Sequence, residues 1–419
     1  MVFEKIQMKY GRETKEISIP RHNLMGILEP EDLPGAEDPR EEIKQALANP
    51  RGTPLLREMA RNKKNVVILC SDISRPAPSK VILPPLLEEL NQAGVKDNQV
   101  TVIFGLGFHR PHTPKEHRQL VGEEIYRRLR CLDHNLLDCV PIGKTSRGTP
   151  VQLFRPVANA DLIIATGNLE LHRKAGYTGG DKALMPGVCS QESIQSNHRM
   201  MLQPGAGPGR ITDNPVREDI EEAGKMAGLA FIVNVVLNSR QEIVKAVAGD
   251  RIQAHREGTQ YVDRMYKRTI PQLADIGIAA CGGFPKDLNL YQAQKALENA
   301  SHAVREGGAI ILLAECGEMY GNQLFEEWMT RARTPEDPIN WMQQEFVLGA
   351  HKAAALCRVL QKQEVCLVSK MPDEAVRNCF LQPAESVEQA LAKALEKLDR
   401  DSRILALPYA NSTLPLLKK

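Results

Sequence analysis

Three short apolar runs constrain this chain more than anything else in it: Asn65–Cys70 (NVVILC), Val100–Phe104 (VTVIF) and Asp161–Thr166 (DLIIAT). Each is rich in β-branched residues and apolar on both faces of an extended chain. That is the pattern of strands buried inside a parallel sheet. Each run delivers a polar or glycine-rich turn at its end. Ser71-Asp72-Ile73-Ser74-Arg75-Pro76 follows the first, Gly105-Leu106-Gly107-Phe108-His109-Arg110 the second, and Gly167-Asn168 the third. A helix over about Lys80–Gly94 completes a βα unit. Ligands of open parallel sheets bind at the C-terminal ends of the strands. Asp72, Arg75, His109 and His172 are therefore expected to share one site.

The flanking segments extend the same reading. Glu16–Ile19 suggests a strand and Arg40–Ala48 an amphipathic helix. Phe231–Leu237 and Ile243–Ala248 suggest an antiparallel hairpin, followed by a helix over about Ala254–Arg268. Thr269-Ile270-Pro271 reads as a linker. Beyond it a second α/β series begins, with strands at Ile276–Cys281, Ala309–Ala314, Val365–Ser369 and Arg403–Leu407. Helices are expected over Leu290–Arg305, Asn322–Arg331 and Pro338–Leu360. A capping box, Ser386-Val387-Glu388-Gln389, opens one more, to about Leu398. A chain of 419 residues is too long for one typical core. The fold class expected is α/β: two α/β domains with parallel-rich sheets, one over residues 1–270 and one over 274–404.

Composition excludes several functions. With 54 basic and 52 acidic residues there is no basic footprint for nucleic acid and no polybasic membrane patch. The charged N-terminus MVFEKIQMKYGRE is unlike a signal peptide. No apolar run approaches the roughly 20 residues of a membrane span. Nine cysteines without CxxC pairs or zinc-like spacing point to reduced thiols and a cytoplasmic address.

The stretch His172–Gly187 (HRKAGYTGGDKALMPG) stands out against this background. Gly179 and Gly180 remove two side chains just before Lys182, so a ligand or a backbone segment can come close. A lysine in such a setting is a charge clamp, an amine for covalent chemistry, or a solvated surface residue. The stretch lacks the P-loop pattern, since Asp181 separates glycine from lysine and Ala183 has no hydroxyl. Gly105-Leu106-Gly107 falls short of a dinucleotide fingerprint, because Arg110 stands where its third glycine belongs. Arg75, stiffened by Pro76 and Pro78, is either a fixed guanidinium for an anion or a surface arginine. His109 is either a general base or a polar loop residue. His112 and His117 read as structural or solvated. Tyr291, Gln292 and Lys295 fall close together at the start of a helix, a pattern suited to an anion or to plain solvent exposure.

Together, SDISRP (71–76), GFHR (107–110), HRKAGYTGGDKALMPG (172–187), His198 and DLNLYQAQKA (287–296) resemble the nickel-pincer lactate racemase family. The matches run through most of the chain in order. The resemblance implies racemisation or epimerisation at C2 of a 2-hydroxy acid, lactate or a relative of it. It implies a nickel pincer nucleotide, a pyridinium-3-thioamide-5-thiocarboxylic acid mononucleotide, attached covalently at Lys182. His198 would be the protein's nickel ligand. His109 and His172 would be acid–base groups on opposite faces of the substrate. Arg75, Tyr291, Gln292 and Lys295 would hold the substrate, and Asp72, Ser74, Gly179 and Gly180 would border the cofactor. The implied path is transient hydride transfer to the cofactor through a 2-keto acid. This avoids placing a second negative charge beside the carboxylate, and the cofactor carries the redox step.

The resemblance also implies a site in the cleft between the domains, with the C-terminal domain supplying substrate contacts and the tail from about 405 to 419 returning to the first. Enzymes of cofactor synthesis are the implied partners. Asp181 departs from the family pattern beside the attachment point. His351, Met342 and Trp341 are alternatives for the residue capping the pocket. Two other readings compete: a nicotinamide-type 2-hydroxyacid dehydrogenase, which lacks its fingerprint here, and a non-catalytic cofactor- or anion-binding protein.

Overall fold

The computed structural model describes residues 2–347 and 349–418. It is a mixed α/β structure that divides into two compact units. One comprises residues 32–265, and the other residues 1–31 together with 266–419.

The first unit is built on a six-stranded sheet. Its order is Ile243–Gly249, Leu229–Leu237, Leu162–Leu169, Val66–Ser71, Val100–Gly105 and Arg130–Asp133. All neighbours are parallel except the first pair, the expected antiparallel hairpin. Val66 to Cys70 are all buried, which explains the unbroken apolar run. The helices Pro39–Ala48 and Ser79–Gln92 bury Ile43, Leu47, Ile82, Leu83, Leu86 and Leu90 in the same core. Burial of each such side chain contributes about 2 kcal/mol. Ser71 pairs with Gly105, so the two turns that follow leave the sheet side by side.

The second unit carries an all-parallel sheet in the order Gln382–Ala384, Glu364–Val368, Val304–Leu313, Ala274–Ala280, Ile404–Leu407 and Leu24–Ile27. The last of these strands comes from the N-terminus, so residues 1–31 join the C-terminal unit, not the domain 1–270 expected from the sequence. The hairpin Phe3–Tyr10 with Glu13–Pro20 lays Ile6, Met8, Tyr10, Ile17 and Ile19 on that sheet's core. The expected linker at 269–271 is partly strand: Lys267–Ile270 pairs in parallel with Leu414–Leu417. The tail thus stays within this unit, where the resemblance implied a return to the other. KRTI has no apolar alternation, and only a partner far along the chain makes it a strand.

Two helices also differ from expectation. The one expected over Pro338–Leu360 is two, Glu336–Gln344 and His351–Leu360. The one expected to reach Arg305 ends at Ser301, with a strand starting at Val304. Ser386 caps Val387–Lys397 as predicted, accepting from the Gln389 N–H, while the Gln389 side chain accepts from the Glu385 N–H. No helix among the described residues is long and apolar enough to cross a membrane.

Candidate active site

In the 32–265 unit, three adjacent parallel strands deliver the motifs to one edge. Asp72, Ser74 and Arg75 follow Val66–Ser71, His109 follows Val100–Gly105, and the His172–Gly187 stretch follows Leu162–Leu169. The stretch is tied down along its length. His172 pairs with Gly176 in a short antiparallel hairpin of two-residue strands. The fully buried Arg217 donates from Nε to the Ala175 carbonyl at 2.9 Å and from its terminal nitrogen to that of Tyr177. Thr178 bonds the Asn168 carbonyl at 2.7 Å, and the Gly180 N–H donates to Asn234 Oδ1 at 2.8 Å.

The glycine pair, expected to let a ligand or a backbone segment come close, is packed against side chains of the same chain. Both residues have positive φ, 73° at Gly179 and 57° at Gly180. A Cβ at Gly179 would lie 2.5 Å from Leu169 and 2.7 Å from Asn234, and one at Gly180 would lie 2.9 Å from the His255 ring. The space left by the missing side chains is filled by the chain itself. Gly105 is likewise a packing residue: its missing Cβ admits the Gly187 backbone, and the Gly107 N–H donates to the Gly187 carbonyl at 3.0 Å.

The two candidate acid–base histidines are held in different ways. His109 Nδ1 lies 3.2 Å from Asp72 Oδ2 and 3.3 Å from Ser74 Oγ. Asp72 is buried and also accepts from the Ser74 N–H at 2.8 Å. Burial raises its carboxyl pKa, but the bonds from His109 and Ser74 outweigh that and hold it well below the carboxylate range. A carboxylate only accepts, so the contact with Asp72 favours the tautomer with its proton on Nδ1 and its lone pair on Nε2. His172 has the reverse arrangement. Its Nδ1 accepts from the Ala175 N–H at 3.1 Å, so the neutral ring presents Nε2–H. Burial, then the charges of Lys182, Arg75 and Arg217, press its pKa well below the ordinary value.

His198 lies in the helix Gln191–Arg199, which Ser190 caps. Its Nδ1–H donates to the Ile194 carbonyl at 2.8 Å, placing the lone pair on Nε2. Burial and the Lys182 charge push its pKa down to about 4, so the ring is neutral near pH 7. Burial first, then Arg75 and Arg217, push the Lys182 amine down to about 7. Asp181 is buried against Arg251 at 2.7 Å, and burial pushes its carboxyl up to about 7.

Tyr291, Gln292 and Lys295 belong to the other unit, on the helix Leu290–Ser301. Asn289 caps that helix by accepting from the Gln292 N–H at 3.0 Å. The Lys352 ammonium sits 3.8 Å over the Tyr291 ring and donates to the Tyr291 carbonyl at 2.5 Å. Among the candidates for a pocket cap, Met342 is buried in the core of this unit. Trp341 packs edge-on against Trp328 at 5.4 Å, and His351 Nδ1 accepts from the Gly349 N–H at 3.1 Å.

Sequence reasoning missed Arg217 and Asn234. Arg217 sits among charged residues in VREDIEE, where nothing marks it as buried. Asn234 interrupts the apolar strand FIVNVVL, a visible signal, since a polar residue inside a buried strand requires a partner.

Comparison with known proteins matches residues 10–209 to the lactate racemase N-terminal domain and residues 270–414 to the lactate racemase C-terminal domain. The lactate racemase of Thermoanaerobacterium thermosaccharolyticum is 33% identical over 98% of both chains, and that of Lactiplantibacillus plantarum is 31% identical over 96% of this chain and 97% of its own. The lactate racemase apoprotein structure from T. thermosaccharolyticum superposes with a TM-score of 0.89 at 32% identity, covering 99% of this chain and all of that one. A Thermotoga maritima crystal structure shares the fold, with a TM-score of 0.60 at 17% identity, over 93% of this chain and all of its own. The chain belongs to the lactate racemase family and is an isomerase.

Proposed function

We propose that this enzyme interconverts the enantiomers of a short 2-hydroxy acid, lactate or a close relative, using a nickel pincer nucleotide. One observation carries the reading: two buried neutral histidines, of which His172 lies under the charges of Lys182, Arg75 and Arg217 and His198 under that of Lys182. The residues fit the group. Histidines that ligate metals commonly donate their other N–H to a carbonyl or carboxylate, as His198 does to Ile194. An amine with a pKa near 7 is a nucleophile at neutral pH, which suits Lys182 to forming a thioamide. Excess positive charge suits a phosphate and a thiocarboxylate. When bound, the nucleotide supplies the electron sink that lets C2 become a planar carbonyl.

The protein's part is orientation and proton handling. Arg75 is proposed to hold the substrate carboxylate, with Gln292 and Lys295 as further contacts. His109 Nε2 takes the hydroxyl proton, and Asp72 stabilises the imidazolium that results. His172 serves the enantiomer presented the other way round. By reversibility each ring must both take and give a proton.

The test is an intact-mass spectrum with nickel analysis on protein co-produced with the cofactor-synthesis enzymes, followed by a panel of chiral 2-hydroxy acids. A mass increment mapped to Lys182, about one nickel per chain as a single site requires, and racemisation of one acid are expected. Absence of nickel and increment, under conditions that load a relative, overturns the reading.

A further inference from the structure

The chemistry above leaves two histidines near His109 unused. In the structure His112 and His117 converge on Asp133, at the end of the edge strand Arg130–Asp133. Asp133 accepts three hydrogen bonds: from the His112 backbone N–H at 2.6 Å, from His112 Nδ1 at 2.6 Å and from His117 Nε2 at 2.9 Å. The His112 side chain is 1% exposed. Phe104 packs between the elements, stacked on the His117 ring at 4.7 Å and edge-on to His112 at 5.3 Å.

Two imidazoles and a carboxylate this close are a candidate metal site, but the hydrogen bonding assigns them otherwise. The Ile73 backbone N–H donates to His112 Nε2 at 3.0 Å. The neutral ring's proton therefore lies on Nδ1, aimed at Asp133. A metal on Nδ1 would move that proton to Nε2, against the Ile73 N–H. Ile73 is the residue between Asp72 and Ser74, the two that hold His109. Within this turn the Ser74 N–H bonds the Asp72 side chain and the Arg75 N–H bonds the Asp72 carbonyl at 3.0 Å. Those bonds set the turn's shape. The Ile73–His112 bond, with the packing of the Ile73 side chain on the core, sets its position.

We infer that His112 is a positioning residue for His109. Asp133 and His117 fix the His112 tautomer, His112 anchors the 72–75 turn through Ile73, and the turn holds Asp72 against His109. The inference rests on the acid–base role proposed for His109, so its test has arms that do not need activity. His112→Gln places a carbonyl oxygen near the position of Nε2 and keeps an acceptor for Ile73. His112→Asn retains only a group near Nδ1, able to bond Asp133.

In the protein without cofactor, H112N is expected to speed amide exchange at Ile73 by at least about tenfold. It is expected to slow carbethoxylation of His109, mapped by peptide mass, by about threefold or more. H112Q is expected to hold both near wild type. In loaded enzyme, H112N lowers kcat by about 10- to 100-fold with KM within about twofold and nickel content unchanged, and H112Q recovers most of the loss. Unchanged exchange and carbethoxylation in H112N overturn the inference. So does an equal loss in both variants, the mark of a merely structural residue, and so does one zinc per chain that Asp133→Asn removes. If wild type racemises nothing, the functional reading falls while the exchange and carbethoxylation arms still decide the positioning.

Discussion

His109 and His172 are assigned the same kind of work in opposite surroundings. The His109 side chain is 48% exposed on a turn and faces a carboxylate, whereas His172 sits among cations with a backbone amide at its Nδ1. A carboxylate at Nδ1 readies the far nitrogen to take a proton and supports the charge that follows. Burial, with cations nearby, holds a ring neutral, and a backbone N–H at Nδ1 makes its far nitrogen a donor. The difference teaches that the pair is not symmetric in the protein alone. The proposed reaction needs each ring both to take and to give a proton. An anion entering the cluster of Arg75, Lys182 and Arg217 would relieve the charge that, after burial, keeps His172 from protonating.

The comparison breaks first at His109. His109→Ala is expected to lower racemisation by about a thousandfold or more with nickel content and the Lys182 mass increment intact, measured by chiral chromatography and intact mass. An active variant would leave His172 to do the work alone. Asp72→Asn sharpens the same contrast by removing the charge while keeping the shape. A fall in kcat of about 10- to 100-fold is expected, with nickel retained, and no fall would show that the carboxylate does not support the ring.

Stability measurements probe the cationic side. The Lys182 amine keeps its proton up to the ordinary 10.5 in the unfolded chain but only to about 7 in the folded one. Between those limits the unfolded state binds more protons, so wild-type stability rises with pH across the window. Lys182→Met is expected to stabilise the cofactor-free chain by about 2 kcal/mol below pH 7, the gain fading to nothing by pH 10.5, as followed by denaturant melts. A pH-independent difference would mean the amine is solvated. His198 gives the smallest effect. It takes a proton at 6.5 when unfolded but only near 4 when folded, so stability is lost as pH falls through that range. His198→Gln should flatten the acid limb by about 1 kcal/mol. Comparing it with wild type cancels the contribution of Asp181, which runs in the opposite sense because its folded pKa is raised.

Much of the fold and of the candidate site is legible in the sequence. The runs at 65–70, 100–104 and 161–166 are strands because both of their faces are buried, and such burial leaves a continuous apolar record. The polar residues that follow them form one edge because neighbouring parallel strands end together. The glycine pair is legible as a feature but not as a function, since only the packed chain shows Leu169, Asn234 and His255 occupying the space. Arg217 is hidden, because a buried arginine bonded to carbonyls looks like any other arginine in a charged helix. The N-terminal hairpin is half-visible, because its partner sheet lies at the other end of the sequence.

The sequence by itself determined the parallel-rich α/β class, the family and a set of candidate site residues, since each depends on local pattern or on residue type at a position. Only the tertiary structure decided which residues share a unit, which nitrogen of His112, His172 and His198 faces a backbone donor or acceptor, and which charges bear on Lys182. Those properties depend on atoms brought within a few ångströms from distant parts of the chain, and hydrogen bonding and desolvation act only at that range.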